Sequence, residues 1–223
     1  MFFRVQSAPN LSHSFIVKKC SKIFTLNALC LEVQSLAVSL LDFRLDVSNI
    51  RQVPDHQEVF VDPSRDESLI FELLDYKHEV GDNGSATWFL QDLANEQDAE
   101  GCTQFEQSEV VETPGFHYRN IPSVISTAVG QMNISKGRQG REAQNIVRVY
   151  LANIRLKGVD TDVLVTAYEP VLINPLSESA TTVGAGMAVP AAQSGCLAMS
   201  EVFKLAVSTF KVIDWNLFSS VSA

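Results

Sequence analysis

The sequence predicts an α+β fold in which an antiparallel β-sheet is flanked by helices. Three observations carry this. From Gln104 onward the hydrophobic pattern has period two, in four separate runs. Two of these runs are joined by Gly158-Val159-Asp160-Thr161, a hairpin connection that only antiparallel neighbours use. Stretches with helical patterning precede the strands and close the chain. The 223 residues are 46% hydrophobic and 19% charged, enough apolar material for one domain with a full core and too much for a disordered chain.

The elements follow in order. Pro54 and Asp55 mark a turn after Val53. "EVFV", residues 58–61, is β-branched and aromatic and reads as a short strand. "DPSRDESLIFELLDYKHEV" then reads as a helix, with Ser64 and Glu67 at capping-box spacing and Leu69, Ile70, Leu73 and Leu74 on one apolar face. On that helix Glu72, Asp75 and Glu79 would share another face. Residues 81–84 end it, and "SATWFLQDLANEQDAE" forms a second helix with Trp88, Phe89 and Leu93 inward. The four strands are "QFEQSEVVE", "SVISTAVGQMNIS", "NIVRVYLANIRL" and "TDVLVTAYEP". In the third, Val147, Val149 and Leu151 alternate with Arg148, Tyr150 and Ala152, which suits a sheet with one face covered. Residues 170–195 read as a long surface loop. A helix over about 194–210 and an apolar terminus containing Trp215 and Phe218 complete the chain.

Charge is unevenly distributed. Residues 46–112 hold three basic and seventeen acidic side chains, a net of −14, against −9 for the whole chain. Such a block disfavours phosphate backbones and anionic membranes as partners. It serves either solubility or the recognition of a basic protein surface. The densest part, "DVSNIRQVPDHQEVFVDPSRDESLIFELLD", carries eight acids and two arginines among many apolar residues, so it folds rather than floats.

No catalytic set emerges. G-x-S-x-G, Walker A and H-E-x-x-H patterns are missing, and "VGAGMAVP" lacks the third glycine of a dinucleotide fingerprint. His56 lies beside Asp55 and Glu58 with no nucleophile nearby, and a surface histidine in an acidic turn explains it equally well. Lys136, Arg138 and Arg141 belong to a strand connection that needs no anion to explain it. The cysteines Cys20, Cys30, Cys102 and Cys196 show neither disulfide-framework nor zinc spacing, and a reducing compartment is the simpler reading. No metal or other cofactor is expected. Residues 1–31 contain basic side chains and no acid, a composition shared with organelle transit peptides.

The "RQVPDHQEVF" run and the acidic stretch after it resemble the Ran guanine-nucleotide release factor family. The likeness continues through "IVRVYLANIRLKGVDTDVLVTAYEP" to the terminal "DWNLF", covering about 46–218, with wording most similar to plant members. The resemblance implies an antiparallel sheet flanked by helices, shared with PsbP-type proteins. It also implies a non-catalytic monomer that binds Ran and promotes nucleotide release in support of nuclear import, in the nucleus and cytoplasm. The family's Ran-binding acids correspond here to Glu72 and Asp75, with Asp55, Glu58, Asp66 and Glu67 as flanking members of the same surface. Where the family begins with an "L-F-G-G-A" segment, "SLAVSLLDFRL" stands instead. The expected domain is therefore 46–223, preceded by a divergent segment, 1–45, that is a targeting peptide, a packed element or an altered start. The alternative role is that of an extrinsic photosystem protein of the thylakoid lumen with the same fold.

Overall fold

The computed structural model describes residues 45–46, 56–99, 103–111, 117–118, 120–135, 139–210, 212 and 215–218. The readings made for residues 1–44 lie outside these. The strands are β1 (Leu45–Asp46), β2 (Gln57–Asp62), β3 (Glu67–Asp75), β4 (Gln104–Val111), β5 (His117–Tyr118), β6 (Ile121–Pro122), β7 (Val124–Ile134), β8 (Asn145–Leu156), β9 (Thr161–Ile173) and β10 (Gly186–Met187). The α-helices are α1 (Ser85–Glu96), α2 (Glu178–Val183) and α3 (Met199–Thr209).

An eight-stranded antiparallel sheet runs in the order β1-β2-β3-β9-β8-β7-β4, with β10 added to the far end of β9. β8 and β9 form its centre. Their hairpin turns through Asp160, whose φ of 53° is a left-handed conformation that aspartate tolerates better than most residues. β5 and β6 form a separate small ribbon.

Both faces of the sheet are covered, which corrects the one-sided expectation. Val147, Val149 and Leu151 of β8 pack with Phe89, Leu90 and Ala94 of α1. Tyr150, Ala152 and Ile154, from the alternate positions, pack with Met199, Val202, Phe203 and Ala206 of α3. Val212, Trp215 and Phe218 close the α3 side, as their apolar character predicts. Trp88 departs from expectation. It lies at the surface, 36% exposed, with the Lys77 ammonium 5.6 Å from its ring centre.

The segment expected to be a helix, residues 62–80, is the main correction. Glu67–Asp75 is a nine-residue strand paired with β2 on one side and β9 on the other. Ser64 caps no helix. Its backbone N–H and its hydroxyl both donate to Asp62 Oδ1, at 2.9 and 2.6 Å, and Arg65 N donates to Asp62 O. That is a side-chain-stabilised hairpin turn, finished by Asp66 at a φ of 59°. The apolar run has no helical stripe to form, because Leu69, Phe71 and Leu73 face the α3 side while Ile70 and Leu74 face the α1 side. The expected loop at 170–195 is likewise more ordered, holding the end of β9, α2 and β10.

Candidate functional site

The acidic residues singled out from sequence come from the β2–β3 hairpin and its surroundings, and strand geometry distributes them. Successive side chains on a strand alternate between faces. Glu72 therefore shares the α1 face with Ile70 and Leu74, and Asp75 shares the α3 face with Leu73. The single helical stripe of Glu72, Asp75 and Glu79 does not exist, and Glu79 lies in the turn beyond the strand. Asp75 is exposed at the strand end, opposite Thr161 of β9.

Glu72 is half-buried. Its side chain is 23% exposed, and Oε1 accepts a hydrogen bond of 2.6 Å from Gln57 Nε2. The Nε2 of His56 lies 3.4 Å from the same oxygen. Gln57 and Glu72 stand directly opposite each other in the β2–β3 register. The backbone of His56 is fixed too, since Leu73 N donates to its carbonyl at 2.9 Å. Across the helix layer, Glu96 of α1 is exposed as a residue, yet its carboxyl is held above the usual range, first by desolvation and then by the charges of Asp92 and Glu72. Glu72, Asp92 and Glu96 thus form a negative neighbourhood that joins strand and helix.

The other four residues are placed differently. Asp55 lies outside the described residues. Glu58 is half-buried on the α3 face of β2, opposite Phe71. Asp66 occupies the left-handed position of the hairpin turn. Glu67 is 3% exposed and bound to Arg65 Nη2 at 2.6 Å. Burial holds its carboxyl above the usual range, and Arg65 offsets only part of that. Glu67 and Asp75 are eight residues apart on one strand, about 26 Å along it. The hairpin turn and the strand end are therefore separate surfaces, and only Glu72 and Asp75 belong to the latter.

The strand end is held by a buried network that sequence reading missed. Arg155 of β8 is 1% exposed. Its Nε donates to Asp162 Oδ1 at 3.1 Å, its Nη2 donates to Lys77 O at 2.6 Å, and its Nη1 donates to Val80 O and to Asp82. The guanidinium also lies 4.0 Å from the ring centre of Tyr76. Asp162 in turn accepts from Lys77 N and from the Asn153 amide. This network ties the segment after Asp75 to the middle of the sheet. Its sequence signal is weak: Arg155 and Asp162 are charged residues in two mostly apolar strand runs, each of which carries a second charged residue, Arg148 and Glu169.

Among the described residues no group of three or more His, Cys, Asp or Glu is placed to hold a metal ion. Among them, too, no helix is long and apolar enough to cross a membrane.

Comparison with known proteins supplies what geometry alone does not. A family model described as "Ran-interacting Mog1 protein" matches residues 34–170. That match begins inside the segment 1–45. A Ran guanine nucleotide release factor from Danio rerio is 36% identical over 138 residues, 61% of this chain and 74% of that protein. A probable ran guanine nucleotide release factor from Dictyostelium discoideum is 28% identical over 178 residues, 78% of this chain and 87% of that one. The crystal structure of the Saccharomyces cerevisiae Ran-binding protein Mog1p superposes with a TM-score of 0.52 over 78% of this chain and 88% of its own, at 21% identity. That likeness bears on the fold alone, and it agrees with the antiparallel sheet described above.

Proposed function

Because the chain belongs to the Ran-interacting Mog1 protein family, matched over residues 34–170, we propose that it binds the small GTPase Ran and promotes release of its guanine nucleotide, in support of nuclear protein import. The family match carries this reading, and its span contains the whole β2–β3 hairpin. The relatives named as release factors and as nuclear import proteins support it.

The mechanism is differential binding. A protein without a catalytic base lowers nucleotide affinity by holding its partner more tightly in the nucleotide-weak state. A tenfold loosening needs about 1.4 kcal/mol of coupling, within reach of a few interfacial charge pairs. Glu72 and Asp75 are the contacts we assign to Ran. Although they leave opposite faces of β3, they lie three residues apart at one strand end, so a partner that caps that end meets both. Glu67 is withdrawn from the surface by its ion pair with Arg65, and its role in this reading is to hold the hairpin turn.

The test is release of a fluorescent guanine nucleotide from Ran, with the full chain and with a Glu72→Lys/Asp75→Lys variant. Acceleration by the wild-type chain and its loss in a folded variant are expected. A folded double variant that still binds and accelerates would remove these two residues from the interface. Inertness of the wild-type chain toward Ran would remove the function itself and favour the extrinsic photosystem role. Residence in nucleus and cytoplasm accompanies the Ran reading, and a fluorescent fusion confined to chloroplasts would argue against it.

A further inference from the structure

We infer that Gln57 is a positioning residue for Ran, setting the carboxylate of Glu72 in the orientation the partner meets. The inference rests on the reading of Glu72 as a Ran contact.

Gln57 is 6% exposed, although its neighbours on the same face of β2 are the apolar Val59 and Val61. A buried amide costs stability unless it is hydrogen-bonded, and an apolar side chain would fill the same place at no such cost. The described structure gives the amide a partner, Glu72 Oε1, at 2.6 Å. Backbone pairing on both strands fixes the two residues opposite each other, so the side chains meet without searching. Among the described residues, both contacts to the Glu72 carboxylate, from Gln57 and from His56, fall on Oε1. The second oxygen keeps its lone pairs for a partner.

The surroundings explain why the carboxylate needs holding. Asp92 and Glu96 of α1 share the neighbourhood of Glu72, and like charges drive an unrestrained side chain apart. A free glutamate also loses rotamer freedom when a partner immobilises it. A neutral donor on the opposing strand counters both effects before Ran arrives. Being uncharged, the amide does so without cancelling the charge that the partner reads.

A double-mutant cycle on the full chain tests this, with Ran affinity and accelerated nucleotide release as readouts. Its members are Gln57→Met, Glu72→Ala and the double variant. Gln57→Met keeps the length and volume of the side chain and removes the donor. It should weaken Ran binding about tenfold in the wild-type background. In the Glu72→Ala background it should change binding by less than about twofold, because the carboxylate it serves is gone. A merely structural role would lower affinity equally in both backgrounds, and that result would overturn the inference. Unchanged affinity in Gln57→Met would overturn it too. Unchanged affinity in Glu72→Ala would instead overturn the assignment of Glu72 and take the inference with it. Thermal unfolding of each variant confirms folding. Should Gln57→Met unfold, Gln57→Asn, which keeps the amide but is one methylene too short to reach Oε1, takes its place with the same expected outcomes.

Discussion

Arg155 shows how much a single side chain can hold in this fold. A guanidinium that is 1% exposed sits among strands whose other side chains are mostly apolar. Burying a charge is costly, and here Asp162, two backbone carbonyls, Asp82 and the Tyr76 ring offset the cost. Removing one partner strands the other. Arg155→Met is expected to lower stability by about 3–5 kcal/mol, read as a fall in the urea midpoint with the denaturant slope unchanged. Replacing Asp162 with Leu as well should recover only part of the loss, since the Lys77 N–H and the Asn153 amide then lack their acceptor. A single variant as stable as the wild type would mean that the network is solvated rather than buried. Nothing in "NIVRVYLANIRL" distinguishes Arg155 from Arg148, which is 35% exposed and paired with Glu106. Alternation assigns them to opposite faces of β8, and because both faces are covered, face alone does not tell the rim residue from the buried one.

At the scale of elements, the strands from Gln104 onward were legible, and β3 was not. β4, β7, β8 and β9 fall on the runs expected from period two, to within a few residues at their ends, and α1 and α3 lie where their apolar spacing puts them. β3 reads as a helix because "SLIFELL" is apolar on both sides, which erases the alternation that marks a half-buried strand. Ser64 and Glu67 then imitate a capping box, while in the structure one completes a turn on Asp62 and the other pairs with Arg65. The error reached the site directly. It placed Glu72 and Asp75 on one face, and it concealed Gln57, whose partnership with Glu72 exists only across two paired strands. A close approach between elements was equally hidden. A Cβ added at Gly130 of β7 would meet the carbonyl oxygen of Gln104 at 2.9 Å and Leu90 Cδ2 of α1 at 3.2 Å. The backbone contact cannot be relieved by a rotamer change. Gly130→Ala is therefore expected to cost about 1–3 kcal/mol in denaturant unfolding, in spite of alanine's better fit to regular structure. A neutral or stabilising result would show that β4 can move off β7 freely.

For the whole molecule, the sheet order explains where the acidic block comes to rest. Residues 46–112, with their net charge of −14, supply β2 and β3 near one edge of the sheet, β4 at the other, and α1, which packs over β7 and β8. The nearly neutral β7, β8 and β9 fill the centre. Charge on edge strands discourages pairing with other chains, and at β4 a bulge near Glu106 adds to this. Near Glu72, Asp92 and Glu96 of α1 add negative charge beyond the two residues we assign to Ran. Charge of this kind acts on encounter more than on residence. The association rate with Ran should fall about tenfold between low salt and 0.5 M salt, while the dissociation rate changes little. The Glu72→Lys/Asp75→Lys variant removes contacts but reverses only two charges, so any residual association should keep most of its salt dependence. Stopped-flow association over a salt series separates these effects. If the rate is indifferent to salt, recognition is carried by contacts at the strand end alone and the acidic block serves solubility. A rate that falls with salt in the variant as well would assign steering to the wider acidic surface, with docking left to Glu72, Asp75 and the glutamine behind them.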